Sequence, residues 1–266
     1  MFSDAVFARD DYLAGSAELR ARDLMQAWSD PSIAGIIAAR GGYGSVQLLP
    51  RLDAGVMRRQ PKVFVGYSDN TSVLIWLLQA CGLVAFHGPM IEGRFARGAS
   101  GYDQASFLDC VTKAQPLGEV VDPHLETLQA GAARGVLVGG TLTQLVASLG
   151  TPYAFDPPDG CVLFIDEVAE RPYRLDRMLT QLRLSGLLAR AAAIVFNSLP
   201  KCEEPGGTPT PKDTVRKVLS GFPGPILYGL QSGHTDGPAL TLPFGVMASV
   251  TTGDRPSLVI EEAAVD

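Results

Sequence analysis

Twice within the first eighty residues, a short apolar run leads into a glycine-containing turn and then into a helical pattern. The apolar runs are residues 33–39 and 62–65, and a third run, residues 83–86, follows the second helix. Strands that alternate with helices predict a parallel, doubly wound sheet. The ligand of such a sheet binds beyond the carboxyl ends of its strands, so the turns are the first place to look for function.

Ser68 lies in the second turn, in the stretch Gly-Tyr-Ser-Asp-Asn between a β-branched strand and a helix. This arrangement is typical of a nucleophile elbow, in which a sharp turn exposes a serine hydroxyl at a helix N-terminus. The match is to Gly-x-Ser-x-Asn and not to the full Gly-x-Ser-x-Gly. The alternative is a plain strand-to-helix turn in which serine or aspartate caps the helix.

Gly41 and Gly42 belong to the first turn, where glycines let a backbone approach a ligand and point its N–H groups at negative charge. The turn could hold a phosphate, could donate N–H groups to an oxyanion beside Ser68, or could be a tight turn without a ligand. The dinucleotide fingerprint and the phosphate-loop lysine are both missing, so a nicotinamide-dependent enzyme is the least favoured class.

Composition excludes several other classes. The chain has 266 residues, 46% apolar and 19% charged, with a net charge of −6 and no basic run. Nucleic acid is therefore an unexpected partner, and the absence of a long apolar run argues against a membrane partner. Neither a metal nor a cofactor is expected, since the four cysteines are widely spaced. With no secretory signal pattern at its start, the protein is expected to be cytoplasmic.

The chain divides by pattern into two parts and a connection. Residues 1–115 are predicted to form the parallel-sheet domain that carries the serine, and residues 116–134, of mixed composition, a linker. Residues 135–266 are predicted to form an α+β domain with a mainly β end. Within it, residues 172–188 have a strongly amphipathic helical pattern.

Acid–base candidates occur in the second part. Asp166 and Glu167 end an apolar strand, where carboxylates are unusual unless they are paired or used; the alternative is an ion pair with one of the arginines at 171, 174 and 177. His234 lies in a glycine-flanked loop, where a histidine is held but reachable, unless it is merely solvated. His87, at a strand end before Gly-Pro, could contact a substrate but is more typical of a structural histidine.

Together these residues fit one mechanism. Ser68 needs a base, and His234 needs a carboxylate that fixes its tautomer. Backbone N–H groups of Gly41 or Gly42 and of Asp69 could donate to the oxyanion.

Six motifs, in this order along nearly the whole chain, resemble those of the LD-carboxypeptidases, the murein tetrapeptide carboxypeptidases of peptidase family S66. They are Ala39-Arg40-Gly41-Gly42-Tyr43-Gly44; Gly66-Tyr67-Ser68-Asp69; His87-Gly88-Pro89-Met90; Gly139-Gly140-Thr141-Leu142; Asp166-Glu167 with Pro172-Tyr173-Arg174-Leu175-Asp176-Arg177-Met178-Leu179; and Gly233-His234 with Leu240-Thr241-Leu242-Pro243-Phe244-Gly245.

The resemblance implies a Rossmann-like N-terminal domain carrying the serine and a C-terminal domain carrying a glutamate and a histidine. It implies a metal-free serine hydrolase with a Ser–His–Glu or Ser–His–Asp triad, which releases the terminal D-alanine of muropeptides in cell-wall recycling. It also suggests a homodimer.

The sequence departs from the family pattern in two places. The family reads Glu-Asp or Glu-Glu where this chain has Asp166-Glu167, so ungapped alignment favours Asp166 as the triad acid, whereas residue type gives a slight preference to Glu167. Only one of two adjacent strand residues can face the histidine. The chain also begins after the family's opening strand and helix, so the N-terminal sheet is expected to lack its first strand-helix unit.

Two alternative functions stay open. A related immunity-type peptidase of the same fold cleaves a peptide–nucleotide antibiotic, although no aromatic or basic cluster for a nucleotide stands out here. A ligand-binding domain without chemistry would use the glycine loops alone, and its binding would survive the change Ser68→Ala.

Overall fold

The first three strands of the N-terminal sheet are parallel, as the alternating pattern predicts. A computed structural model describes residues 1–266. The sheet has the strand order β1-β2-β3-β10. Its strands are β1 (Gly35–Ile37), β2 (Val63–Gly66), β3 (Ala85–His87) and β10 (Leu242–Phe244). The first three are parallel, whereas β10 runs antiparallel to β3. β1 lies at one edge of this Rossmann-like sheet and pairs with β2 only.

Four helices accompany this sheet: α1 (Ala17–Ser29), α2 (Ala54–Arg59), α3 (Thr71–Trp76) and α4 (Gln104–Thr112). The Ser16 hydroxyl caps α1 by accepting the backbone N–H of Leu19 at 3.2 Å. Every residue of α3 is buried, because the helix lies between the two sheets. It continues as a π-helical turn over Leu77–Cys81 and ends at Gly82, whose φ of +65° is typical of a helix C-terminus.

The second sheet has eight strands in the order β4-β12-β11-β6-β7-β8-β9-β5. They are β4 (Gly118–Val120), β5 (Glu126–Gln129), β6 (Ala132–Thr141), β7 (Cys161–Asp166), β8 (Ala191–Asn197), β9 (Ile226–Leu230), β11 (Met247–Thr251) and β12 (Ser257–Ile260). Its centre, β6 to β9, is parallel, and the flanking strands are antiparallel. The accompanying helices are α5 (Leu142–Ser148), α6 (Pro172–Leu184) and α7 (Pro211–Val218).

The interpretation of residues 116–134 as a linker is wrong in structural terms, because this stretch forms β4, β5 and the start of β6. Both short strands lie at edges of the large sheet, and β5 is half-buried along its whole length. A register irregularity between Thr127 and Gln129 further breaks the pairing with β9. Such strands show no clean alternation of apolar and polar residues, which is why composition did not reveal them. The domain limits 1–115 and 135–266 stay a prediction.

One apolar core lies between the two sheets. It extends from Trp28 and Phe64 to Phe164 and Phe244, and a second core lies under the predicted apolar face of α6. All four cysteines are buried and none forms a disulfide. No helix in the chain has both the length and the apolar character needed to cross a bilayer.

Candidate active site

Ser68 occupies a strained turn between β2 and α3. Tyr67 is extended, Ser68 has a φ of +62°, and a short 3₁₀ turn over Ser68–Asn70 leads into the helix. A positive φ is costly for a residue with a side chain and tends to persist where function requires it. The Ser68 hydroxyl makes no hydrogen bond within the protein. This is the geometry of a nucleophile elbow, as the strand–glycine–serine–helix order predicts.

The glycine loop lies directly beside this serine. A Cβ built on Gly41 would stand 3.0 Å from Ser68 Cβ and 3.1 Å from Ser68 Oγ, so a larger residue here would crowd the serine. The Asn70 amide donates to the Arg40 carbonyl at 3.1 Å, which fastens the loop to the elbow. Gly42 has a φ of +112°, and neither glycine N–H has an acceptor within the protein. The two predicted glycines are therefore in place to serve a group bound at Ser68.

Asp69 has a buried carboxylate that is fully engaged. One oxygen accepts the backbone N–H of Ser45 at 2.8 Å, and the other accepts the Gln144 amide at 3.3 Å. The side chain therefore braces the elbow against the glycine loop and against α5. What Asp69 could offer a ligand is its backbone N–H and not its carboxylate.

His234 and Asp166 form a hydrogen-bonded pair. His234 Nδ1 lies 2.7 Å from Asp166 Oδ2, and the backbone N–H of His234 donates to Oδ1 at 2.9 Å. A carboxylate only accepts hydrogen bonds, so Nδ1 carries the proton and Nε2 is left as the basic nitrogen. The His234 ring packs edge-on against Tyr67, with ring centroids 5.0 Å apart, which brings it beside the elbow.

The pair shifts the pKa of both members in opposite directions. Burial alone would raise the pKa of Asp166, but the charge and hydrogen bond of His234 hold it below its ordinary value. Burial alone would lower the pKa of His234, but Asp166 raises it above the ordinary value of 6.5. Close approach therefore favours the charged forms of both side chains.

Glu167, which residue type slightly favoured as the acid, does not contact His234. Its carboxylate accepts the backbone N–H of Thr143 at 2.8 Å and the Thr143 hydroxyl at 2.7 Å, at the start of α5. Burial raises the pKa of Glu167. The preference for Glu167 is corrected, because Asp166, the last residue of β7, contacts the histidine, whereas Glu167, which follows the strand, points to Thr143. Neither carboxylate pairs with Arg171, Arg174 or Arg177.

His87 is fully buried and therefore cannot touch a substrate directly. Its ring packs against Phe164 and Phe244, and burial lowers its pKa to about 4. Between His87 and Asp166 lies Gly233, where a built Cβ would stand 2.6 Å from His87 Nε2 and 2.7 Å from Asp166 Cγ. The structural interpretation of this histidine fits its place in the core.

Two polar residues that contact Asp166, Asn197 and Thr141, were not predicted as site residues from the sequence. Asn197 Nδ2 donates to Asp166 Oδ1 at 2.6 Å and to the His234 carbonyl at 2.7 Å, and the Thr141 hydroxyl donates to Asp166 Oδ2 at 2.9 Å. The backbone N–H of Thr141 in turn donates to the Thr71 hydroxyl of α3 at 3.1 Å. A signal was present: Thr141 and Asn197 end β6 and β8, the two strands that flank β7. No group of three or more histidine, cysteine or acidic side chains is placed to share a metal ion.

The strained serine after β2 and the histidine–aspartate pair at the edge of the large sheet give an α/β protein with a candidate hydrolase site. The sequence model of the LD-carboxypeptidase N-terminal domain matches residues 2–88, and that of the C-terminal domain matches residues 134–250. The chain belongs to the LD-carboxypeptidase family.

Relatives and solved structures agree with this assignment. The murein tetrapeptide carboxypeptidase of Pseudomonas aeruginosa is 33% identical over 235 residues, which cover 86% of this chain and 76% of the relative. The muramoyltetrapeptide carboxypeptidase of Oxalobacter formigenes superposes with a TM-score of 0.85 at 32% identity, covering 96% of this chain and 88% of that one. The microcin C7 self-immunity protein has the same fold, with a TM-score of 0.88 at 24% identity and coverages of 99% and 86%.

Proposed function

We propose that this protein is a serine-type LD-carboxypeptidase. It hydrolyses the L,D-amide bond at the end of murein tetrapeptides and so releases their terminal D-alanine in cell-wall recycling. The observation that carries the proposal is the His234–Asp166 pair held beside the elbow that bears Ser68. The names of the relatives at 32% and 33% identity support the choice of substrate.

Ser68 is the nucleophile in this mechanism, and His234 is the base. Nε2 of His234 takes the proton from Ser68 Oγ as this oxygen attacks the carbonyl carbon of the scissile amide. The imidazolium then gives that proton to the nitrogen of the departing D-alanine, and the amide C–N bond breaks. Water, deprotonated by the same nitrogen, attacks the acyl-serine ester and frees the shortened peptide together with Ser68. Asp166 keeps the proton of His234 on Nδ1 and stabilises the imidazolium.

The oxyanion formed in both steps needs donors close to Ser68. We assign this role to the backbone N–H groups of Gly41 or Gly42 and of Asp69. The close approach of Gly41 to Ser68 and the unused N–H groups of the glycine loop support the assignment. A single donor of this kind is typically worth about 10²- to 10³-fold in kcat.

The immunity-type peptidase is the weaker alternative. The microcin C7 self-immunity protein is only 25% identical to this chain in sequence, and the remaining similarity is that of the fold. A ligand-binding domain without chemistry would not need a strained serine beside a histidine–carboxylate pair. Two finer properties belong to the same proposal: a cytoplasmic location and a homodimer. Cell fractionation and sedimentation equilibrium would test them.

Release of D-alanine from a murein tetrapeptide tests the proposal directly. The wild type should release it, Ser68→Ala and His234→Ala should lose at least about 10⁴-fold in kcat, and the exposed Ser220→Ala should retain full activity. A tetrapeptide that ends in L-alanine tests the stereochemical preference and should stay intact. Turnover that survives Ser68→Ala, or an inactive wild type, contradicts the proposal.

A further inference from the structure

Arg94 is a buried cation without an acidic partner. Arg94 is only 4% exposed, and its guanidinium forms no ion pair with any carboxylate. Burying a charge is costly unless strong hydrogen bonds compensate for the lost water. A cation in this position therefore needs a structural reason.

All five N–H groups of Arg94 are used, and most of them act on the loop that carries His234. Nη2 donates to the carbonyls of Gly233 at 2.6 Å and of Thr235 at 3.0 Å, and Nη1 donates to that of Gly237 at 3.0 Å. These three carbonyls lie on both sides of His234 along the chain. The remaining Nη1 contact is with the Gly101 carbonyl at 3.1 Å.

The same side chain also reaches the segment that bears the nucleophile. Arg94 Nε approaches the Tyr67 hydroxyl at 3.4 Å, and the guanidinium carbon lies 5.8 Å from the centre of the Tyr67 ring. Tyr67 precedes Ser68 and packs against the His234 ring. One planar cation thus contacts the residue before the serine and both flanks of the histidine.

We propose that Arg94 is a positioning residue, which holds the His234 loop in register with the Ser68 elbow and places a fixed positive charge near the imidazole. The proposal rests on the function proposed above. Lysine could not replace this arginine, because three donors on a single nitrogen cannot reach carbonyls spread around a planar fork.

The charge of Arg94 opposes that of the acidic groups near His234. Asp166 and Glu167 raise the pKa of His234, and burial together with Arg94 acts to lower it. His87, the other titratable group nearby, is neutral in this range because burial lowers its pKa to about 4. Removal of the Arg94 charge should therefore raise the pKa of His234 further and make the free base scarcer at neutral pH.

Two substitutions separate position from charge. Arg94→Lys keeps the charge but loses the planar arrangement of donors, so kcat should fall about 10- to 100-fold, as for a small misplacement of a catalytic group. The acid limb, which is the fall of kcat/KM at low pH, should stay in place. Arg94→Gln loses the charge, so this limb should move to higher pH as well. Arg97→Met, which removes an exposed arginine of the same segment, should change neither quantity.

Titration of the histidine ring signals by NMR gives a readout without turnover. The chain has three histidines, and His124→Gln removes the exposed one from the spectra. The His234 pKa should rise in Arg94→Gln and stay in Arg94→Lys; if Arg94→Gln does not fold, Arg94→Met is the second neutral variant.

The possible failures can be told apart. An unchanged kcat in Arg94→Lys overturns the positioning role, and an unchanged His234 titration in a folded neutral variant overturns the electrostatic role. An inactive wild type whose His234 titration still responds to the loss of Arg94 would contradict the proposed function and not the effect of this charge.

Discussion

Asp166 and Glu167 are neighbours in sequence, and both are buried, yet their carboxylates do different things. Asp166 accepts four hydrogen bonds, from Thr141, Asn197 and the ring and backbone of His234. Glu167 accepts hydrogen bonds at the start of α5 and from the backbone of Val168. Asp166 ends β7 and Glu167 is the first residue after it, and the two roles are separate because the two carboxylates point to different neighbours.

The first prediction at this scale separates the two carboxylates. Asp166→Asn should lower kcat by about 10⁴-fold, because an amide at this position no longer fixes the tautomer of His234 or stabilises the imidazolium. Glu167→Gln keeps an acceptor for Thr143, so kcat should stay within a few-fold and the loss of stability should be about 1 kcal/mol. D-alanine release and urea unfolding of both variants measure these effects; the reverse order of activities would reject Asp166 as the triad acid.

The second prediction concerns pH. In the proposed mechanism His234 must be neutral to accept the Ser68 proton, and Asp166 raises the pKa of His234 above the ordinary 6.5. The value of kcat/KM should therefore fall as the pH drops through a pKa that lies above 6.5. In Asp166→Asn this fall of kcat/KM should move to lower pH, because burial and the charge of Arg94 both disfavour the imidazolium form of His234. A pH profile of D-alanine release checks this, and a wild-type limb below 6.5 would contradict it.

At the scale of elements, the end of β6 is packed against α3, the helix that follows the elbow. Gly140 has a φ of +138°, and a Cβ built there would lie 2.5 Å from Thr71 Cγ2. The neighbouring Thr141 donates its backbone N–H to the Thr71 hydroxyl, and its own hydroxyl donates to Asp166. The contact therefore joins the helix behind Ser68 to the carboxylate behind His234.

This contact gives the third prediction. Gly140→Ala should destabilise the protein by about 2–4 kcal/mol, because a strained φ and an overpacked contact each cost about 1–3 kcal/mol. The matched control is Gly253→Ala, which has a similar φ of +129° but nothing within 4 Å of the built Cβ. It should show the cost of the φ angle alone, about 1 kcal/mol. Urea unfolding of both variants measures the difference, and equal losses would mean that the contact with Thr71 does not matter.

At the scale of the whole molecule, the two sheets share their largest core. Trp28 and Phe64 from the N-terminal part belong to the same cluster as Phe164 and Val195 from the large sheet. The chain also returns late to the small sheet, where β10 pairs with β3. The two sheets are therefore joined by packing as well as by the chain.

The fourth prediction follows from this shared core. Both tryptophans, Trp28 and Trp76, lie in this shared core, so their fluorescence reports on the packing between the sheets, whereas far-UV circular dichroism reports on the whole chain. The two signals should follow one coincident transition in urea. Two separated transitions would show that the sheets unfold independently.

Local pattern was sufficient for much of the fold. The spacing of apolar residues predicts β2, β7 and α6, and the strand–glycine–serine–helix order predicts the elbow, because these features depend on near neighbours in the chain. Short edge strands such as β4 and β5 escaped detection, since a half-buried strand of three or four residues carries too little pattern. The position of β10 in the small sheet was also not predictable, because its partner β3 is distant in sequence.

Ser68 and His234 were identified as candidates from their own flanking residues. Which carboxylate stands behind His234, and how Asn197, Thr141 and Arg94 hold the pair, depended on strand faces and on loops that meet only after folding. The sequence alone determined the types of group that the site contains, since each type is set by a local motif. The tertiary structure alone decided their partners, because a hydrogen bond between residues 68 positions apart, as between Asp166 and His234, depends on the packing of the whole chain.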